Sequence, residues 1–380
     1  MALNNPSKKK KSKFYNNMLL AGGSIFTGIA IGIFAAVFFP FLNFEINLFV
    51  LIGGVLFFFI SFFIHILLHE TGHLIFGLLT GYTFVSFRIG TLTIIKEKGK
   101  LKRKRFHLPG TGGQCLMSPP DYSTDHFPFV LYNLGGVFIN LLFSVIPLIL
   151  TLTIEGLSLP VLSLCLLFAG SALLTALTNG IPMKIGGMPN DGYNLLSILK
   201  EEENKKAFFI QLKVNSLMTE GSRLKDIPLE NIQLKGNPQF SNLLAISVYL
   251  LEYNWYLDNL KLGIAKQKLD AFLPHLENLP LFYRHELNCE RLFLVLSEQP
   301  QNPNLIQEIY DEDLQQFIKK TPYLPSKKRL MMAYEGFYCK NYQKAIDYYE
   351  ELKTTASMYP VRGEAEMELM LGEWIKSKLV

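Results

Sequence analysis

The order of apolar and polar positions divides the chain near residue 200. Before that point four stretches, approximately 18–42, 46–80, 127–153 and 157–183, contain no Asp, Glu, Lys or Arg apart from Glu70. Each is long enough to cross a hydrocarbon core, which takes about 20 apolar residues, so the pattern predicts four membrane-spanning helices. Between the second and third, Tyr82–Ile95 alternates and is rich in β-branched and aromatic residues, with Lys98-Gly99 as a turn, which predicts a β-hairpin. Gly110–Met117 adds a further candidate strand. Beyond residue 200 the apolar positions recur at helical spacing among charges. The expected fold is mainly α: a polytopic helical membrane domain with a small sheet, followed by a cytoplasmic α-helical repeat domain. Its expected parts are a basic tail and first span (1–45), a membrane core (46–199, with the sheet at 82–118) and the helical domain (200–380).

Composition sharpens this division. The chain is 49% hydrophobic and 18% charged, against about 25% charged in ordinary soluble domains. Residues 1–200 hold 15 Lys and Arg against 7 Asp and Glu; residues 201–380 hold 22 against 25. An apolar, basic half thus precedes a polar, faintly acidic one, which excludes a single globular core and a disordered chain. Four Cys without framework spacing exclude a disulfide-stapled module.

Basic residues also orient the spans. Lys8, Lys9, Lys10, Lys11 and Lys13 precede the first, and Arg88, Lys96, Lys98, Lys100, Lys102, Arg103, Lys104 and Arg105 lie between the second and third, whereas the remaining connections offer only Glu45 and Glu155. Cations on one side predict both termini in the cytoplasm of a multi-pass cell-membrane protein. The apolar run of the first span is about twice a signal peptide's, so it is expected to stay attached. In a juxtamembrane loop, Lys100–Arg105 reads as a topology signal or a contact with anionic lipid rather than a nucleic-acid site.

The second span contains His65 and then His69-Glu70-Thr71-Gly72-His73. On a helix, His69 and His73 lie one turn apart on one face and can share a metal ion, with Glu70 beside them to take a proton from a water that the metal acidifies. Imidazoles and a carboxylate within lipid are costly unless paired or metal-bound, so they mark a functional site. His65, one turn earlier, suits an outer hydrogen bond or packing. Three histidines within the spans are too few for a membrane di-iron site. A third ligand has few sources. Glu45 and Glu155 fall on the wrong side and Glu97 in a charged loop, leaving Asp121, Asp125 and, best, Asp191, which follows the helix-breaking run Asn179–Pro189.

Three ordered motifs carry a resemblance: His69–His73, then Gly136-Val-Phe-Ile-Asn140, then Asn179-Gly-Ile-Pro182 with Asp191-Gly192. Together they resemble the site-2 protease family of intramembrane zinc metalloproteases, peptidase family M50, over roughly residues 46–199. Val137 stands where the family has proline, and the spacer from Pro182 to Asp191 is longer than usual, which places the sequence in a divergent branch. The resemblance implies that Asp191 completes a Zn2+ triad with His69 and His73, that Glu70 acts as base and then acid, and that Asn140 helps hold the scissile peptide or its developing oxyanion. Similar proteases set a sheet beside the zinc, where an extended substrate pairs with a free edge.

In the last half, Ala333–Leu352 resembles a tetratricopeptide-type helix pair, with Tyr342, Ala345 and Tyr349 at packing positions, and Leu250–Phe272 looks like a degenerate copy. Such surfaces bind peptides or partner proteins. The expectation is a zinc endopeptidase acting on transmembrane or membrane-anchored peptides, with the lipid bilayer and a protein at the helical domain as partners and no nucleic acid. The alternative is a non-catalytic membrane scaffold.

Overall fold

The computed structural model describes residues 48–97, 99–106, 112–122, 127–185, 187–235, 240, 242–298 and 301–379. The expected span at 18–42 and the lysine cluster lie outside the described residues. The other three spans stand as helices α1 (Leu48–Leu79), α2 (Phe129–Thr153) and α3 (Leu159–Gly180), each long and apolar enough to cross a membrane. Their exposed surfaces are aliphatic and aromatic, as with Phe59 and Leu152, a composition that suits lipid, where only a helix or a closed barrel satisfies its own backbone. α1 ends where Gly81 takes a left-handed φ of 88°. There the Tyr82 N–H donates to the Gly77 carbonyl at 3.0 Å, a closure that glycine makes without strain.

Two compact units divide the chain: residues 1–65 with 140–175, and 66–139 with 176–380. In the first, the His65 ring lies 4.4 Å from that of Phe168, and its Nε2 meets the Phe168 carbonyl at 3.1 Å.

The second unit begins with the later part of α1 and continues into a four-stranded antiparallel sheet. It consists of β1 (Thr83–Ile89), β2 (Leu92–Glu97), β3 (Lys100–Arg105) and β4 (Gly113–Ser118), in the order β3-β2-β1-β4. The expected hairpin and the further strand are therefore present, but the chain reverses earlier than expected, at Gly90 (φ 56°), and again at Gly99 (φ 76°). The basic run Lys100–Arg105, read in the sequence as a loop, is a strand. Its alternation was invisible because cations occupy both faces. On one face of the sheet Thr93, Ile95 and Glu97 are buried. Glu97 pairs there with Lys102 at 2.9 Å and with Arg362 at 2.6 Å, and Lys104 donates to the Tyr359 carbonyl at 2.9 Å.

After α3 a short strand pair, β5 (Lys184–Ile185) and β6 (Met188–Pro189), leads into α4 (Asp191–Lys200) and α5 (Glu202–Glu220). Then follow α6 (Leu243–Asp258), α7 (Leu262–Asp270), α8 (Leu281–Ser297), α9 (Pro303–Ile309), α10 (Glu312–Lys320), α11 (Pro325–Ala333), α12 (Tyr342–Met358) and α13 (Arg362–Leu379). The ranges 250–272 and 333–352 are largely helical. Ala345 and Tyr349 are buried as expected, whereas Tyr342 is 51% exposed. Tyr342 opens α12 just after the Asn341 cap, so it extends past the end of the packed face.

Arg329 on α11 is fully buried at the centre of these helices. It bonds Glu368 at 2.5 Å and Glu290 at 2.8 Å, and its guanidinium lies 4.1 Å from the centre of the Phe293 ring. Two carboxylates around one cation offset its charge jointly, so removing the cation leaves Glu368 buried without its ion-pair partner and Glu290 with only the Tyr253 hydroxyl. Arg329→Ala is expected to lower the unfolding free energy by about 3–5 kcal/mol, read as an earlier loss of helical circular dichroism on urea titration of the detergent-solubilised protein; a midpoint unchanged from wild type contradicts this assignment.

Candidate metal centre

His69 and His73 are buried on α1, four residues apart, with their rings edge to face at 4.7 Å. The two Nε2 atoms lie 3.1 Å from each other. Asp191, the first residue of α4, brings Oδ2 to 2.9 Å from His69 Nε2 and 3.3 Å from His73 Nε2. These three residues form a group of metal-ligating type.

The donor chemistry fits a cation. His73 Nδ1 lies 2.7 Å from the Tyr132 carbonyl, and a carbonyl only accepts, so Nδ1 carries a proton and Nε2 is the nitrogen left for a ligand. Nε2 faces the Asp191 carboxylate. A cation among these atoms, a metal ion or a proton on the rings, offsets the carboxylate's charge. A tetrahedral ion with bonds of about 2.0–2.1 Å asks its ligand atoms to stand about 3.3–3.4 Å apart, close to the separations observed.

Glycines let these elements close on one another. A Cβ at Gly72 would collide with the Gly135 backbone and one at Gly135 with the Gly72 backbone, so α1 and α2 touch main chain to main chain. Gly136 provides the surface on which the His69 ring rests; a Cβ there would overlap that ring. In the same way Gly192 fits against the Gly180 carbonyl, which explains the Asp-Gly pair: the residue after Asp191 must be bare for α4 to start here.

Asn190, which the sequence reading passed over, holds that start in place. Its Nδ2 donates to the carbonyls of Thr178 at 2.7 Å and Ile181 at 2.6 Å, while its Oδ1 accepts from the N–H groups of Met183 at 3.1 Å and Tyr193 at 2.9 Å. One amide thus caps α4 and ties it to the end of α3. An Asn immediately before a helical Asp is an N-cap signature, and that signal was legible.

Glu70 is adjacent in sequence to His69 and shares its electrostatic surroundings with His69, His73 and Asp191. Its carboxylate lies against β4, where a Cβ at Gly113 would meet Glu70 Cγ. β4 is itself anchored, since the Tyr132 hydroxyl donates to the Cys115 carbonyl at 2.9 Å. Burial pushes the Cys115 thiol well above its ordinary pKa.

Other sequence candidates have different partners. Glu97 pairs with Lys102 and Arg362, Asp121 pairs with Lys213 at 3.3 Å on the surface, and Asp125 lies outside the described residues. Asn140 is fully buried on α2, with His65 as a hydrogen-bonding neighbour.

Two imidazoles and a carboxylate at metal-ligand separations, with Glu70 beside them on a helix of membrane length, form a candidate metal site of the kind found in membrane-embedded metalloproteases. The chain belongs to peptidase family M50, whose family model matches residues 57–338. The match extends past the membrane half into the helices that follow it. No curated protein and no solved structure matches the chain.

Because Asn190 positions Asp191 without being a ligand, Asn190→Ala is expected to weaken metal affinity about 10–100-fold. Competition with a chromophoric chelator measures this, and an affinity equal to wild type removes Asn190 from the positioning role.

Proposed function

We propose that this protein is a zinc endopeptidase that cleaves transmembrane segments or membrane-retained peptide remnants. The observation that carries the reading is the convergence of His69, His73 and Asp191 beside Glu70 on a helix long and apolar enough to span a bilayer. Imidazole and carboxylate donors suit Zn2+, which when bound supplies a Lewis acid that polarises a carbonyl and acidifies water. His69, His73 and Asp191 hold the ion. His73 keeps its ligand tautomer through Tyr132, and Asp191 keeps its place through Asn190.

Glu70 takes the proton from the attacking water and passes it to the leaving amine. Glu70 lies against Gly113 on β4, which among the described residues pairs with β1 alone. A substrate unwound from its helix pairs with that edge, which exposes a carbonyl otherwise shielded by helical hydrogen bonding. Asn140 serves as an amide donor to the scissile peptide or its oxyanion. Both termini lie in the cytoplasm, with a fourth span at 18–42, and the helical domain after residue 200 receives a protein partner on its repeated helix pairs.

Glu70→Gln is expected to retain bound zinc while cleavage of a co-expressed membrane peptide falls by at least about 10²–10⁴-fold. Released peptides from cells carrying the wild type and the variant are compared by mass spectrometry. Identical peptides from both defeat the peptidase reading and favour the scaffold. Asn140→Ala is expected to lower kcat about 10²-fold at unchanged zinc content; an unchanged kcat in detergent-solubilised enzyme returns Asn140 to a packing role.

A further inference from the structure

The sheet carries a face that neither the metal centre nor the helical domain uses. Cross-strand partners share a face, and the register gives two rows across all four strands. One row is Arg103, Ile94, Phe87, Cys115, and the next is Arg105, Leu92, Ile89, Gly113. At their β4 end both rows meet the membrane helices: Cys115 is buried and Gly113 lies against Glu70 of α1. Toward β2 and β3 the same face is open. Leu92 and Ile94 are each 39% exposed, Leu101 is 68% exposed, and Arg103 and Arg105 are exposed beside them. The Lys96–Leu101 pair extends the pattern by one more row. The opposite face is closed by Glu97, Lys104 and the C-terminal helices.

We propose that this open face of β2 and β3 lies on the headgroup layer of an anionic bilayer, with Leu92, Ile94 and Leu101 dipping toward the acyl region and Lys96, Arg103 and Arg105 binding lipid phosphates. Three observations support this occupant. The face is continuous with the one that covers α1, a helix of membrane length. Only three residues separate the end of α1 from the start of β1, a reach of about 10–14 Å, so the sheet is held at the membrane boundary. Exposed aliphatics interleaved with cations form the amphipathic composition that interfacial binding requires, with buried area and charge attraction acting together. The proposal rests on the membrane reading of α1 and not on proteolysis, so Glu70→Gln protein, inactive under the peptidase reading, keeps the lipid preference.

The test uses the full chain in phosphatidylcholine vesicles containing about 20 mol% phosphatidylglycerol. Ile94→Trp places a fluorophore on the face, and wild-type emission from Trp255 and Trp374 is subtracted. Acyl-brominated phosphatidylglycerol is expected to quench the added emission at least about twofold more than the same fraction of brominated phosphatidylcholine, and Arg103→Gln/Arg105→Gln is expected to bring that ratio to about one. Equal quenching with both arginines intact, or none by either lipid, overturns the proposal. So does quenching abolished by an added substrate peptide, which would make the face a peptide-docking surface. A second measurement leaves Ile94 untouched: native mass spectrometry of wild type from mixed vesicles is expected to retain phosphatidylglycerol in excess over the double arginine variant, and equal retention overturns it.

Discussion

His73 Nε2 and Asp191 Oδ2 face each other at 3.3 Å, while the ring's other nitrogen is committed to the Tyr132 carbonyl. Two imidazoles and a carboxylate this close favour a cation among them, and the surrounding chain holds them there. α2 supplies the carbonyl that sets the tautomer, α1 supplies both rings, and α4 supplies the carboxylate. Glu70 lies against β4, outside the group formed by the two rings and Asp191. Under the proposed function that place leaves it able to accept a proton, which a coordinating carboxylate could not do.

Bringing four elements this close requires that several carry no side chain at the point of contact. Gly72 and Gly135 let two helices meet at the backbone, Gly136 accepts the His69 ring, Gly192 accepts the Gly180 carbonyl, and Gly113 accepts Glu70. Glycine inside a helix costs roughly 0.5–1 kcal/mol against alanine. In lipid, close packing of small residues recovers that loss through dispersion contacts that bulkier helices cannot make. The conformational freedom of these glycines is incidental; their bareness is what the site uses.

Much of the site was legible because its signals are local or chemically rare. Two histidines four residues apart in an apolar run admit few readings, and a carboxylate just after a helix-breaking stretch is conspicuous where carboxylates are scarce. The less legible parts depend on contacts formed between distant segments. Asn190 is legible as an N-cap, but its second task, tying α4 to the end of α3, shows only when Thr178 and Ile181 present their carbonyls to it. The strand β3 was hidden because lysine and arginine fill both of its faces, so period-two alternation left no hydropathy signal. Tyr342 was misplaced for a simpler reason: spacing assigns a residue to a helical face but does not say whether the neighbouring helix extends far enough to cover it.

The position of β4 also bears on what shape of substrate the base can serve. A helix with its side chains is about 10–12 Å across, whereas a strand added to a sheet lies about 4.8 Å from its neighbour. Glu70 already touches the backbone of β4 at Gly113, so a peptide reaching the base beside that strand comes close enough only in extended form. The same geometry sets a requirement on sequence, since a transmembrane helix must first give up its internal hydrogen bonds in a medium with few substitutes. Backbone groups of β4 other than the Cys115 carbonyl, which Tyr132 already holds, supply such substitutes under the proposed function. Under the proposed function, substrates with helix-weakening residues near the cut therefore incur the smaller cost of unwinding, and the edge strand selects for instability of the helix as much as for side-chain identity.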